Sequence, residues 1–197
     1  DEKDSFDEHV QDTLNAGAGL CDEKVVRTIV EAGPSAVNDL IEKGAHFTTR
    51  GELGEESNPD DFHLGKEGGH HRRRIIHAGD ITGAEIEHIL VNAVRNHPHI
   101  TVLENHHAID LITTGRLGWI GENRCMGVYA LDVKTNVIKT VNAIATVVAT
   151  GGCGKVYLYT SNAETSCGAG MAMCYRPHVP IPTMEFFQFH PSILFHH

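Results

Sequence analysis

The stretch Ala143-Ile144-Ala145-Thr146-Val147-Val148-Ala149 carries no charge and runs straight into Thr150-Gly151-Gly152. An unbroken apolar run of this length, rich in β-branched residues, has no polar face to give to water, so it predicts a strand buried on both sides. Strands of that kind belong to parallel sheets covered by helices, and a glycine turn at the carboxyl end opens onto the crevice where α/β folds bind ligands. The run predicts an α/β fold. The turn is a candidate binding element, because glycine lets backbone N–H groups approach a ligand closely. As a string, it is also what any tight strand-to-loop junction looks like.

Apolar residues recur at helical spacing over residues 5–16 (Phe6, Val10, Leu14) and 22–43 (Val25, Ile29, Val37, Leu40, Ile41). Asp22 is the expected N-cap of the second helix, Gly33-Pro34 is expected to break or restart it, and Gly44 to end it. Gly17-Ala18-Gly19 follows a helix and has Asp22 where a nucleotide fingerprint has its third glycine, so it reads as a helix-terminating turn. Residues 48–62 have no period and read as a loop. Residues 82–96 predict a third helix with Ile86, Ile89, Leu90 and Val94 on one face, followed by a short strand at 100–103, together the αβ half of a parallel sheet. Residues 108–113, 127–133 and 137–142 predict a small β-meander turning at Lys134-Thr135-Asn136. Residues 169–176 predict a helix stopped by Pro177, and 184–189 a short apolar strand.

Glu67-Gly68-Gly69-His70-His71-Arg72-Arg73-Arg74-Ile75-Ile76-His77-Ala78-Gly79-Asp80 sets an acid, three arginines and three histidines around a Gly-Gly corner. Such a composition suits a grip on a small dianion. It also describes a solvated basic loop ahead of a helix.

At 197 residues, 41% hydrophobic and 21% charged, the chain has the composition of a soluble globular protein. A net charge of −10 with only one short basic cluster argues against a nucleic-acid surface. Cys21, Cys125, Cys153, Cys167 and Cys174 form no CxxC pair, which points away from a disulfide scaffold and towards a cytoplasmic setting. No apolar run approaches the roughly 20 residues of a membrane span, and the acidic start is unlike a signal peptide. No membrane association is expected. Val156 after Gly154-Lys155, and Ala149 in place of the first glycine, exclude a Walker loop. His70/His71, His106/His107 and His196/His197 are adjacent pairs that do not readily face one ion, and no HExxH occurs, so no metal site is expected.

Met184-Glu185-Phe186-Phe187-Gln188-Phe189-His190-Pro191-Ser192 is the third segment of note. In order and distance, this segment, the basic segment and Ala149-Thr150-Gly151-Gly152 with the following Lys155-Val156-Tyr157 resemble the L-aspartate oxidase family. They resemble the succinate dehydrogenase and fumarate reductase flavoproteins more loosely. The resemblance extends from Asp4-Ser5 to Leu194. It implies part of an FAD-binding Rossmann-like domain over residues 1–183, with a substrate loop at 67–80, the meander at 108–142 and a flavin-facing turn at 149–152. Residues 184–197 would begin a capping domain.

The implied cofactor is FAD, approached by the backbone at Ala149, Thr150, Gly151 and Gly152, with Ala108 beside the adenine. The implied catalytic residues are Glu67, His190 and Gln188. Glu67 would receive the α-ammonium of L-aspartate, and His190, with Gln188 beside it, would hold a substrate carboxylate. The implied reaction is oxidation of L-aspartate to iminoaspartate on the route to quinolinate and NAD, with O₂ or fumarate as acceptor and quinolinate synthase as partner. Two alternatives remain. One is a fumarate reductase or succinate dehydrogenase flavoprotein, against which Glu67 speaks; the other is a non-catalytic module that binds an anion or a partner.

Some residues depart from the family pattern. Gly168-Ala169-Gly170 replaces Gly-Asp-Gly, Arg72 replaces a histidine, and Pro177-His178 replaces a pair of small residues. The resemblance also places the start of the chain after the Gly-rich βαβ finger that grips the FAD pyrophosphate. It places the end before an arginine of the capping domain. It thus implies an incomplete portion, inactive by itself.

Overall fold

Two N-caps organise the start of the chain. Ser5 Oγ accepts the Glu8 N–H at 3.1 Å and opens α1 (Phe6–Ala16), while Asp22 Oδ1 accepts the N–H groups of Lys24 and Val25 at 2.9 and 3.2 Å and opens α2 (Glu23–Glu42). Between them Ala18 (φ 48) and Gly19 (φ 88) reverse the chain, as the turn reading expects. The two helices pack on each other, burying Val10 and Val30, and Arg27 reaches Asp7 across the pair at 2.9 Å. The computed structural model describes residues 3–55, 58, 61–189 and 192. Its chain divides into two compact units, Asp1–Val102 and Leu103–His197.

Contrary to expectation, Pro34 does not break α2, which runs through it. Part of the proline ring's conflict with a helix is with the Cβ of the preceding residue, and that residue is Gly33, which has none. Ser35 Oγ donates to the Ala32 carbonyl at 2.8 Å, while the carbonyl that loses its ladder donor to the proline is that of Val30.

The rest of the first unit hangs on Thr48. Its N–H donates to the His77 carbonyl at 2.8 Å, its carbonyl accepts the His63 N–H at 3.0 Å, and its hydroxyl accepts the Gly79 N–H at 2.9 Å. These bonds secure the antiparallel pair β1 (Leu64–Gly65) and β2 (Ile75–Ile76), in which Leu64 stands opposite Ile76. Ala45 and Phe47 are buried beside this hub, with Phe47 edge-on to Phe62 at 6.3 Å. Helix α3 (Thr82–Asn96) is tied in by Glu85, which accepts the His46 N–H at 2.9 Å.

The second unit is the expected meander: β3 (His106–Thr113), β4 (Cys125–Asp132) and β5 (Val137–Asn142), antiparallel and in that order. Asp132 accepts the N–H groups of Lys134 and Thr135 at 3.0 and 3.3 Å and shapes the β4–β5 turn, where Asn136 takes φ 55. Ala108 faces Ala130 but Asp110 faces Tyr129, so β3 carries one extra residue, Ile109. Helix α4 (Ala169–Tyr175) packs on β3 and buries Met173. Arg176 at its end donates to Asp110 at 3.0 Å and to the Ile109 carbonyl at 2.6 Å, and Arg116 also pairs with Asp110. Burial pushes the Asp110 carboxyl up, and the two guanidiniums more than offset it, leaving its pKa below the usual value.

Three expected strands do not form. Residues 100–103, 143–149 and 184–189 enter no β-ladder, and both sheets among the described residues are antiparallel. A strand exists through its hydrogen-bonded neighbours, and no described segment forms a β-ladder with these runs. Instead of being buried on both faces, the 143–149 run exposes Ile144 at 105% and Val147 at 89%. Met184, Phe186 and Phe189 are exposed too. Apolar surface of this extent predicts that the 197-residue chain, purified alone, binds a hydrophobic dye strongly and self-associates. Analytical ultracentrifugation showing a monodisperse monomer with no dye binding would contradict this.

Candidate functional site

The basic segment begins with a turn in which the Glu67 carbonyl accepts the His70 N–H at 3.1 Å and Gly69 takes φ +83, a conformation natural to glycine. Beyond it, alternation sends Arg72 and Arg74 towards α1 and Arg73 to the other side. The approach to α1 and its first turns offer acids at i, i+4 and i+8: Asp4, Glu8 and Asp12. Arg74 takes both Asp4 oxygens at 2.7 Å and Asp12 at 2.8 Å, and Arg72 takes both Glu8 oxygens at 2.9 and 3.2 Å. The Arg74 and Asp12 side chains are only 5% and 3% exposed.

These arginines are therefore fasteners, which corrects the reading of the whole segment as a grip on a dianion. The acid row that absorbs them was the missed signal, visible as carboxylates spaced four apart. Among the described residues, Arg73 hydrogen-bonds only the Leu64 carbonyl, at 3.4 Å. Glu67 is exposed, and its carboxylate has no hydrogen-bond or ion-pair partner among the described residues.

Asp12 also accepts the His71 backbone N–H at 3.0 Å and bonds the His71 ring at Nδ1. Those two bonds, then Arg74, hold its carboxyl well below the usual range against the opposing effect of burial. Asp4 is lowered by its bond to Arg74, and Glu8 by its bond to Arg72. The His70 ring sits edge-on to His9 at 5.5 Å with its Nδ1 buried and unpartnered among the described residues. Burial, followed by the charges of Arg74 and His70, lowers the His9 pKa. His63 Nδ1 lies 2.8 Å from His77 Nε2, and His77 Nδ1 lies 3.2 Å from the Gly79 carbonyl. A carbonyl only accepts, so His77 carries its proton at Nδ1 and receives the His63 N–H at Nε2.

In the second unit the two glycine motifs meet. The Gly152 carbonyl accepts the Gly168 N–H at 3.1 Å, and a Cβ on Gly170 would stand 1.8 Å from Thr150 Oγ1 and 3.0 Å from Val148 Cγ1. The start of α4 thus presses directly on the turn. Ala149, Thr150, Gly151 and Gly152 are exposed, Gly151 takes φ +70, and the N–H groups of residues 150–152 have no acceptor among the described residues. That donor set fits a ligand offering oxygen or nitrogen acceptors. No side chain caps α4, whose first residue is Ala169.

Ala108 is half-buried on β3 beside the bulge. Gln188 is exposed between Phe187 and Phe189, whose rings pack on Tyr157 at centroid distances of 4.7 and 5.0 Å. His190 lies outside the described residues. Glu67 belongs to the first unit, and the other candidate positions to the second. Among the described residues no three His, Cys, Asp or Glu side chains come together to hold a metal, and no helix is long and apolar enough to cross a membrane.

A family model described as an FAD binding domain matches residues 1–197. L-aspartate oxidase 1 of Ralstonia nicotianae is 54% identical over 198 residues, covering 100% of this chain and 36% of that protein. The chloroplastic L-aspartate oxidase of Arabidopsis thaliana is 44% identical over 192 residues, covering 97% of this chain and 28% of that protein. The chain therefore spans about a third of the length of the curated relatives it matches. Among solved structures, the quinol fumarate reductase of E. coli superposes with a TM-score of 0.77 at 28% identity, covering 87% of this chain and 27% of that one. The expected fold class stands: a mixed helix–strand domain of the flavoprotein fold seen in fumarate reductase.

Three outcomes follow from the geometry. Arg74→Met strands Asp4 and Asp12 without their cation and lowers the melting temperature by on the order of 10 °C. In the unmodified protein, both carboxylates bind protons less readily folded than unfolded. Their stabilisation is complete above about pH 4 and fades as pH falls below it, and acid titration of the melting temperature reads this loss. Gly170→Ala displaces Thr150 and weakens FAD retention about tenfold, and adding Thr150→Ala recovers part of it by removing the colliding hydroxyl. Equal flavin binding in wild type and Gly170→Ala would show that the turn does not touch the cofactor.

Proposed function

Since this chain belongs to the FAD-binding domain family, we propose that it forms the flavin- and substrate-binding part of an enzyme that oxidises L-aspartate to iminoaspartate. The observation that carries this reading is Glu67. It is an exposed carboxylate without a partner among the described residues, on a loop whose arginines 72 and 74 are already neutralised. A free anion there repels a plain dicarboxylate and attracts an ammonium group, which separates L-aspartate from succinate. The relatives named L-aspartate oxidase support the same assignment.

In this reading the backbone of Ala149, Thr150, Gly151 and Gly152, with Ala108, holds FAD. Bound FAD supplies the two-electron acceptor for the Cα hydride. Glu67 fixes the α-ammonium, while Gln188 and His190 hold the distal carboxylate and favour charge that develops on it. Residues 1–183 form the FAD-binding part and 184–197 open the capping domain. O₂ or fumarate would be the final electron acceptor, and quinolinate synthase the partner that would consume the unstable imine. Five free cysteines favour a reducing compartment, the cytoplasm in a bacterial setting.

The test is Glu67→Gln in the FAD-loaded protein. Aspartate oxidation falls at least tenfold more than fumarate reduction does. Equal loss of both would favour the fumarate reductase reading, which the structural likeness supports. His190→Ala lowers kcat/KM by about 10² with the flavin still bound, and loss of flavin would instead make His190 structural.

A further inference from the structure

Arg72 and Arg74 are occupied by α1, and Arg73 lies on the other side of the segment at the Leu64 carbonyl, so on the α1 side of the substrate loop a carboxylate has to be met by another group. We propose that His71 is that group, a carboxylate-binding residue that takes one carboxylate of a dicarboxylic amino acid at Nε2 while Glu67 takes the ammonium. The inference deepens the function proposed above and rests on it.

The geometry is that of an oriented imidazole. Asp12, 3% exposed, receives His71 twice, through the backbone N–H at 3.0 Å and through ring Nδ1. An ionised carboxylate only accepts, so Nδ1 carries a proton and the ring is fixed with Nε2 turned away from Asp12. The His71 side chain is 76% exposed, and no described residue bonds Nε2. A buried carboxylate thus holds an imidazole whose working nitrogen is left for something outside the protein. His71 also stands directly after the Glu67–His70 turn, so the loop offers an acid and an oriented imidazole on either side of one corner. An amino-acid zwitterion presents the complementary pair of charges.

With Nδ1 already protonated, Nε2 donates only when the ring carries a second proton. Carboxylate binding at Nε2 therefore draws a proton from solvent when the free ring is neutral. The charged groups facing the ring are Asp12, which it bonds, and Arg74, which shares Asp12; the Glu8–Arg72 pair adjoins them on α1.

Two substitutions separate binding from fastening. Asn at position 71 places an amide N–H near the position of Nδ1 and keeps the bond to Asp12 while deleting the outward nitrogen. Gln at position 71 reaches towards the position of Nε2. In FAD-loaded protein, His71→Asn raises the KM for L-aspartate about tenfold or more with kcat changed less than about threefold, and His71→Gln recovers part of the loss. Calorimetry of α-methyl-aspartate, an amino dicarboxylate with no Cα hydrogen to lose, in two buffers of different ionisation heat shows proton uptake on binding in wild type and none in His71→Asn. Unchanged KM in His71→Asn, or identical proton uptake in both proteins, overturns the proposal. If the loaded protein does not oxidise aspartate at all, the function reading fails, and the calorimetry still decides the role of His71.

Discussion

One guanidinium holds the first unit in register. Arg74 is nearly buried and bridges Asp4, just before α1, to Asp12, two turns into it. Burying a cation is tolerable only when its donors are matched, and here the guanidinium spends its fork on two carboxylates. The same Asp12 then receives His71, so the position of a solvent-facing ring is set by a charge network inside the unit. Hydrophobic burial is thin by comparison, with Val10, Val30, Ala45 and Phe47 as the buried apolar residues described there. The loop owes its shape to electrostatics more than to packing.

Local elements were legible in the sequence where a local cause exists. Asp22 could be identified as an N-cap because its oxygen serves N–H groups two and three residues on, and the meander turn because Lys134-Thr135-Asn136 interrupts two alternating segments; the part of Asp132 in that turn is visible only in the structure. The runs at 143–149 and 184–189 were misread because composition reports how much burial a segment wants, while strand formation depends on a neighbour elsewhere in the chain. Pro34 departs from the usual rule in part because Gly33 has no Cβ for the ring to meet.

The candidate site was legible in parts. The glycines of the 149–152 turn read as an approach to a ligand, whereas the tight clearance at Gly170 is packing of α4 on that turn, which the sequence does not announce. What no single segment announced was the division of labour inside the basic segment. Arg72, Arg73 and Arg74 are equivalent as letters, and only the acids of α1 distinguish the two that are absorbed from the one that is not.

The bulge in β3 has a bearing on how this chain can change over time. Ile109 is the extra residue that lets Asp110 sit where both Arg116 and Arg176 reach it. Exchange of one side chain for another leaves that offset in place. Deleting a single codon between 108 and 110 removes it, and although Ala108 and Asp110 would still stand opposite Ala130 and Tyr129, the bend that aims Asp110 at its two arginines would be lost. The strand is thus far more permissive to substitution than to a change in length, and lineages carrying this fold should vary in letters here while keeping the count.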